Sequence, residues 1–285
     1  MQPAQKALAL WTRYQDFQLA KRHVKDLVNM PQKQRLKNEA IDNKIAPQGR
    51  INTHGLTVYN DKEKKSALLK DVNLHLKSGD AILISGAHSA GKTTLLKTLS
   101  GVYGDYDGQI LIDGQDIKQY NAKDLQEHIG LLTNETVIFR GTIRENITCF
   151  GTINEANAKD VSKLLGIDKD IAALPKGFDT YLNGNDTDTV TAGLKNRISL
   201  VRVLATKPKI ILFDEADRSV DEQGYAALYS LLAHLKGKVT LVIVSDDRNI
   251  KSLAESHYVF EDGNLKSDTE IYSTGNVRPY QELRL

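Results

Sequence analysis

The sequence predicts an α/β fold: a mainly parallel sheet covered by helices, with an antiparallel β edge and an α-helical subdomain, preceded by an N-terminal helix. Three observations lead there. The runs Ala81-Ile82-Leu83-Ile84, Ile210-Ile211-Leu212-Phe213 and Val239-Thr240-Leu241-Val242-Ile243-Val244 lack polar alternation, as strands buried on both faces do. Segments of helical periodicity separate such runs. The stretch 51–76 alternates more regularly, which suggests antiparallel pairing with one wet face. A chain of 285 residues is long enough for one large domain with an appendage.

In chain order, residues 4–29 come first. Ala7, Leu8, Trp11, Tyr14, Phe17, Val24, Leu27 and Val28 fall on one broad helical face, with Arg13, Asp16, Lys21 and Lys25 elsewhere. Such a helix needs a partner for its apolar side, and Met30-Pro31 marks its end. Residues 31–50 are polar, with Pro47 and Gly49, and read as a linker. Strands are then expected at 51–58, 72–76, 81–85, 109–112, 129–133, 210–213, 239–244 and 257–260. Helices are expected at 92–100, 121–128, 155–165, 193–205, 222–235 and 249–254. This divides the chain into an N-terminal helix and linker (1–50), a main α/β domain (51–267) with its helical subdomain at about 134–206, and a tail (268–285) without a readable motif.

Bulk composition narrows the partners. Hydrophobic residues make up 40% and charged residues 26%, ordinary for a globular protein, and the net charge of +2 gives no argument for nucleic acid or an anionic membrane surface. A single cysteine, Cys149, excludes an internal disulfide and fits a reducing compartment such as the cytosol. No stretch reaches the roughly 18 uninterrupted apolar residues of a membrane-spanning helix. Lys6, Arg13, Asp16, Lys21 and Arg22 interrupt what would be a signal peptide's core. The chain as given is therefore expected to be soluble.

The most specific motif is Gly86-Ala87-His88-Ser89-Ala90-Gly91-Lys92-Thr93, followed by Thr94. It fits G-x-x-x-x-G-K-[ST] between a buried strand and a helix. The glycines let backbone N–H groups curl around phosphate oxygens, and the helix adds its positive N-terminal end. Lys92 is expected on the β- and γ-phosphates and the Thr93 hydroxyl on Mg²⁺. His88 is either an added positive charge or an ordinary loop residue. A second apolar strand ends in Asp214-Glu215, at the carboxyl edge where α/β sheets bind ligands. Asp214 is expected to hold Mg²⁺ and Glu215 to polarise the attacking water. The core is thus a P-loop NTPase, with ATP and Mg²⁺ as its ligands.

Over about 51–267 the chain resembles the nucleotide-binding domain of ABC transporters of the exporter branch. Ser66–Leu74 looks like the family's strand leading into the phosphate loop, and Gly108–Gly114 like the segment after it. Phe139-Arg140-Gly141-Thr142-Ile143-Arg144-Glu145-Asn146-Ile147 resembles the stretch exporters use against transmembrane coupling helices, rather than a plain short helix. Ala216-Asp217-Arg218-Ser219-Val220-Asp221 resembles the D-loop. Tyr59 matches the aromatic that stacks on adenine, or else simply packs. Residues 2–27 resemble the cytosolic end of the last transmembrane helix of type I secretion exporters. The resemblance implies as partners a transmembrane domain, on the same parent chain or a separate subunit, and a second nucleotide-binding domain in a head-to-tail dimer. It also implies a place on the cytoplasmic side of the membrane and, from the N-terminal stretch alone, a polypeptide cargo.

Three positions depart from the family's pattern. Asn134 stands where a glutamine reaches Mg²⁺ and water; it keeps the amide one methylene shorter, and a shift of about 1 Å can cost two decades in rate. The signature motif reads Val190-Thr191-Ala192-Gly193-Leu194. Thr191 keeps a hydroxyl and Gly193 a flexible backbone N–H for the phosphate of the opposite subunit, whereas Ala192 adds a methyl and Leu194 removes a polar group. Asp246, within one residue, replaces the switch histidine. An ionised aspartate there cannot donate to phosphate and repels it, so it must point away, be protonated or suppress turnover.

Two functions follow: an ATP-driven motor, favoured by Lys92, Thr93, Asp214 and Glu215, or a regulatory or structural nucleotide-binding module with little hydrolysis, favoured by Asn134, Ala192, Leu194 and Asp246. A soluble P-loop ATPase of DNA repair or chromosome structure is disfavoured, because no sustained heptads appear.

Overall fold

Unbroken apolar strands organise the computed structural model, which describes residues 47–59, 66–184 and 188–267. The expected N-terminal helix at 4–29, nearly all of the linker and the tail lie outside the described residues. Strands β1 (Ile51–Tyr59), β2 (Ala67–Leu76), β3 (Ala81–Gly86), β4 (Tyr106–Ile112), β5 (Gln115–Asp116), β6 (Ile129–Thr133), β7 (Gly141–Thr142), β8 (Tyr181–Leu182), β9 (Ile210–Asp214), β10 (Thr240–Val244), β11 (Ser256–Glu261) and β12 (Asn264–Ser267) are joined by helices. The helices are α1 (Lys92–Leu99), α2 (Ala122–His128), α3 (Ile143–Ile147), α4 (Glu155–Leu164), α5 (Ile167–Ala172), α6 (Ala192–Leu204), α7 (Glu222–Leu235) and α8 (Arg248–Lys251).

The central sheet has the order β12-β11-β3-β10-β9-β6. All its neighbours are parallel except β11 and β12. Its residues divide cleanly between two cores. Leu83, Ile211, Phe213, Leu241 and Ile243 point into one, shared with α3 to α7. Ile82, Ile84, Ile210, Leu212, Val242 and Val244 point into the other, shared with α1 and the antiparallel sheet. Burial on both faces is what removes polar residues from these strands.

The antiparallel sheet runs β2-β1-β4-β5. Its first two strands follow the alternation of 51–76. One reading needs correction. Ser66–Leu74 does not enter the phosphate loop directly: Ala67–Leu76 lies in this sheet, and β3 makes that connection. The segment 106–116 also joins this sheet rather than the parallel one, because Tyr106–Ile112 pairs with β1. The stretch 139–147 does contain a short helix, α3. A capping box fixes its start: Thr142 accepts from the Glu145 N–H, and Glu145 accepts from the Thr142 N–H at 2.7 Å.

Candidate functional site

The loop leaving β3 has a shape that only glycine permits at two points. Gly86 has φ +144°, and a Cβ there would stand 2.8 Å from the Phe260 carbonyl oxygen. Gly91 has φ +104°, and its Cβ would meet a methyl of Leu69 at 2.6 Å. Both conformations lie where L-residues are strained. Ala87, His88 and Ser89 are exposed between them, Ala90 is half-buried, and the Ala90 N–H donates to the Ala87 carbonyl at 3.2 Å. Gly91 caps α1 without any side-chain bond, and no acid sits in the first turn, so its leading N–H groups stay open to an anion. Lys92 Nζ donates to the carbonyls of Gly86 at 2.8 Å and Ala87 at 2.9 Å, which keeps the ammonium inside the curl. Thr94 follows on the half-buried side of the helix.

Strand pairing delivers the acidic half. The parallel register sets Thr133 of β6 and Val244 of β10 on either side of Asp214. The Thr93 hydroxyl donates to Asp214 Oδ1 at 3.2 Å, so residues 121 positions apart meet. Asp214 is 6% exposed. Burial pushes its carboxyl above the ordinary value of 3.8; the Thr93 hydrogen bond opposes this, the Glu215 charge adds to it, and Lys97 and Lys92 oppose it. A cleft of about 160 Å³ is lined by Thr93, Lys97, Thr133, Asn134, Glu135, Asp214 and Glu215. Whole-ligand pockets occupy about 300–1,000 Å³, so this cleft suits the metal-and-phosphate end of a nucleotide.

These groups fit magnesium. Among the described residues no set of three or more His, Cys, Asp and Glu side chains is gathered to hold a metal. A buried carboxylate and a hydroxyl, with phosphate and water completing the shell, is the sparse arrangement Mg²⁺ takes beside a nucleotide. The buried Asp214 carboxylate, whose burial outweighs the Thr93 hydrogen bond and the nearby lysines, is the feature a cation relieves.

Glu215 turns sharply out of β9 with φ +52°, and its N–H donates to the Val244 carbonyl at 2.8 Å. Its Oε2 lies 2.6 Å from Arg218 Nη1, and Arg218 Nη2 donates to Asp246 Oδ2 at 2.6 Å. This ion-pair chain was not legible as such. The i,i+3 spacing of Glu215 and Arg218 is its one sequence signal; the partner at 246 comes from the neighbouring strand's end. It answers the difficulty at Asp246: the carboxylate is turned onto a guanidinium. Asp247, one residue on, instead caps α8 and accepts from the Tyr225 hydroxyl at 2.7 Å.

Thr191 and Gly193 do not line the cleft. Thr191 caps α6, its hydroxyl oxygen accepting from the Leu194 N–H at 3.2 Å, and Gly193 lies against the Asp221 carboxylate with no room for a Cβ. Arg197, 3% exposed, ties this helix to Asp170 at 2.7 Å and Asp221 at 3.3 Å. Asn196 donates to Ser219 at 2.7 Å. Neither of these links was anticipated. Tyr59 closes β1 opposite Ala67; two residues after Ala67 comes Leu69, which packs on Gly91, so Tyr59 stands on the sheet that backs the loop. The fold thus brings together Gly86 to Thr94, Asn134, Asp214 and Glu215, and holds Thr191 and Gly193 apart from them at the start of α6.

Comparison with known proteins agrees with this geometry. A family model described as "ABC transporter" matches residues 69–218. The sophorolipid transporter of Starmerella bombicola is 32% identical over 204 residues, covering 70% of this chain and 16% of that protein. A putative multidrug export ATP-binding/permease protein of Staphylococcus aureus is 31% identical over 220 residues, covering 76% of this chain and 38% of that protein. A bacterial Atm1-family ABC exporter with ATP bound superposes with a TM-score of 0.68 at 25% identity, over 77% of this chain and 38% of that one. The chain therefore spans well under half the length of the relatives it matches. Among the described residues no helix is long and apolar enough to cross a membrane.

Proposed function

This chain belongs to the ABC transporter family, and from that premise we propose that it is the ATP-binding module of an exporter, working at the cytoplasmic side of a membrane against a transmembrane domain. The observation that carries the proposal is the Thr93–Asp214 hydrogen bond at 3.2 Å, set at the mouth of a loop whose two end positions admit only glycine.

The residues divide the work as follows. Loop N–H groups from Ala87 to Thr94 and the Lys92 ammonium bind the triphosphate. Tyr59 offers its ring to the adenine. Thr93 and Asp214, with Asn134 beside them, would hold Mg²⁺, whose charge would offset the charge that builds on the phosphate oxygens. Glu215 accepts a proton from water as the water oxygen bonds to the γ-phosphorus; the bond to the bridging oxygen breaks and ADP departs. Thr191 and Gly193, at the capped start of α6, would serve the nucleotide of a second module in a head-to-tail dimer. The cargo class we propose is a polypeptide, on the resemblance of residues 2–27 alone.

A second reading is a binding module with little turnover. Asn134, Ala192, Leu194 and the engagement of Glu215 by Arg218 favour it. Steady-state phosphate release from wild type and Glu215→Gln separates the two. The motor predicts turnover that the variant loses by two decades or more; no turnover in wild type, with ATP still bound, supports the binder.

A further inference from the structure

Glu215 lines the cleft proposed for the phosphates, and Asp246, outside the cleft lining, is linked to it through Arg218. Unscreened, each carboxylate raises the energy of an incoming γ-phosphate. Arg218 lies between them, with Nη1 at 2.6 Å from Glu215 Oε2 and Nη2 at 2.6 Å from Asp246 Oδ2. Glu215 is 19% exposed, Arg218 42% and Asp246 74%. The guanidinium is thus within one contact of the cleft wall, and Asp246 occupies its solvent side. A planar fork suits this task, because it engages two carboxylates at once with fixed geometry. Lys251 also reaches Asp246, at 3.9 Å, a looser contact than the arginine's.

We propose that Arg218, oriented by Asp246, is the residue that admits the third phosphate: it neutralises the carboxylates at 215 and 246 and so sets the preference of the site for nucleoside triphosphate over diphosphate. The inference rests on the nucleotide-site reading above. It makes Arg218 a specificity determinant, and it makes Asp246 a positioning residue that acts through Arg218.

The test is calorimetric titration of the full chain with Mg-ADP and with the non-hydrolysable triphosphate analogue Mg-AMP-PNP. Arg218→Ala is expected to weaken the triphosphate analogue roughly tenfold while Mg-ADP stays within about twofold. Arg218→Lys, which cannot hold both carboxylates in one fixed fork, keeps only part of the preference, and combining Arg218→Ala with Glu215→Gln and Asp246→Asn restores it. Unchanged affinities in Arg218→Ala, or equal losses for both nucleotides, overturn the proposal: the arginine is then a surface brace or a general support of the fold. If wild type binds neither nucleotide, the nucleotide-site reading itself falls, and this inference with it.

Discussion

Asp214 stands at the end of a strand buried on both faces, and its carboxyl is held above 3.8 chiefly by that burial. The sign of the consequence is fixed. A group whose folded value is raised favours the folded state below the unfolded value, and that contribution is lost as pH rises through the folded value. At neutral pH without magnesium the carboxylate is therefore a burden on the fold. Asp214→Asn is expected to raise the midpoint of thermal unfolding at pH 7 in metal-free buffer by roughly 2–4 °C, or about 1 kcal/mol. The gain should vanish below about pH 4, and Mg-dependent nucleotide binding should be lost. A melting series over pH, with a magnesium titration beside it, checks all three. At this scale the sequence was legible where residue identity and spacing are local: Gly86, Gly91, Lys92 and Thr93 form one short motif whose chemistry needs those residues. The Arg218–Asp246 contact was not, because it depends on β9 and β10 ending side by side. Aspartate at 246 read alone as a repulsive charge; beside Arg218 it is a counter-ion.

Two elements locate the rest of the machinery. Helix α1 starts at a glycine in a left-handed conformation packed on Leu69. Gly91→Ala is expected both to strain the backbone and to push β2 away, lowering stability by about 1–3 kcal/mol and weakening Mg-ATP binding at least tenfold; urea unfolding and titration read the two effects. Helix α6 is fixed by Thr191 at its start and by Arg197 on its buried face. Thr191→Ala is expected to lose about 1 kcal/mol of stability and Thr191→Ser little, measured from denaturation midpoints. Arg197→Ala leaves Asp170 and Asp221 without their shared cation; both carboxylates are partly exposed, so the loss is expected to be about 1 kcal/mol, from the weakened pairing and lost packing of the arginine stem. Long elements were readable because periodicity accumulates: α7 at 222–235 matches its expected bounds; β6 at 129–133, though short, is a mostly apolar run and also matches. The two-residue strands β5, β7 and β8 and the short helices α3 and α5 carry too few residues for any period to register. Their positions come from tertiary pairing, as Gly141 and Thr142 pair with Leu182 and Tyr181.

For the whole molecule, the separation of Thr191 and Gly193 from the cleft has a direct consequence. On the proposed reading, Thr93, Asp214 and Glu215 form one half of a nucleotide site, and Thr191 and Gly193 at the start of α6 do not line that cleft. On that reading, two chains arranged head to tail would supply each other's missing half. Glu215→Gln, expected to slow hydrolysis, is expected to shift from monomer to dimer in light scattering when Mg-ATP is added, and Thr191→Ala with Gly193→Ala to prevent the shift. A mass that does not change with nucleotide contradicts the dimer.

The central claim is narrower than assembly or transport: the curl at 86–93 receives the phosphates of a nucleotide, with magnesium held between Thr93 and Asp214. Titration of Mg-ATP into wild type and Lys92→Ala tests it most directly. The expected result is saturable one-to-one binding to wild type that depends on magnesium, and a loss of at least about tenfold in the variant, as removal of a charge-assisted phosphate contact implies. Equal affinity in the two proteins, or binding indifferent to magnesium, contradicts it.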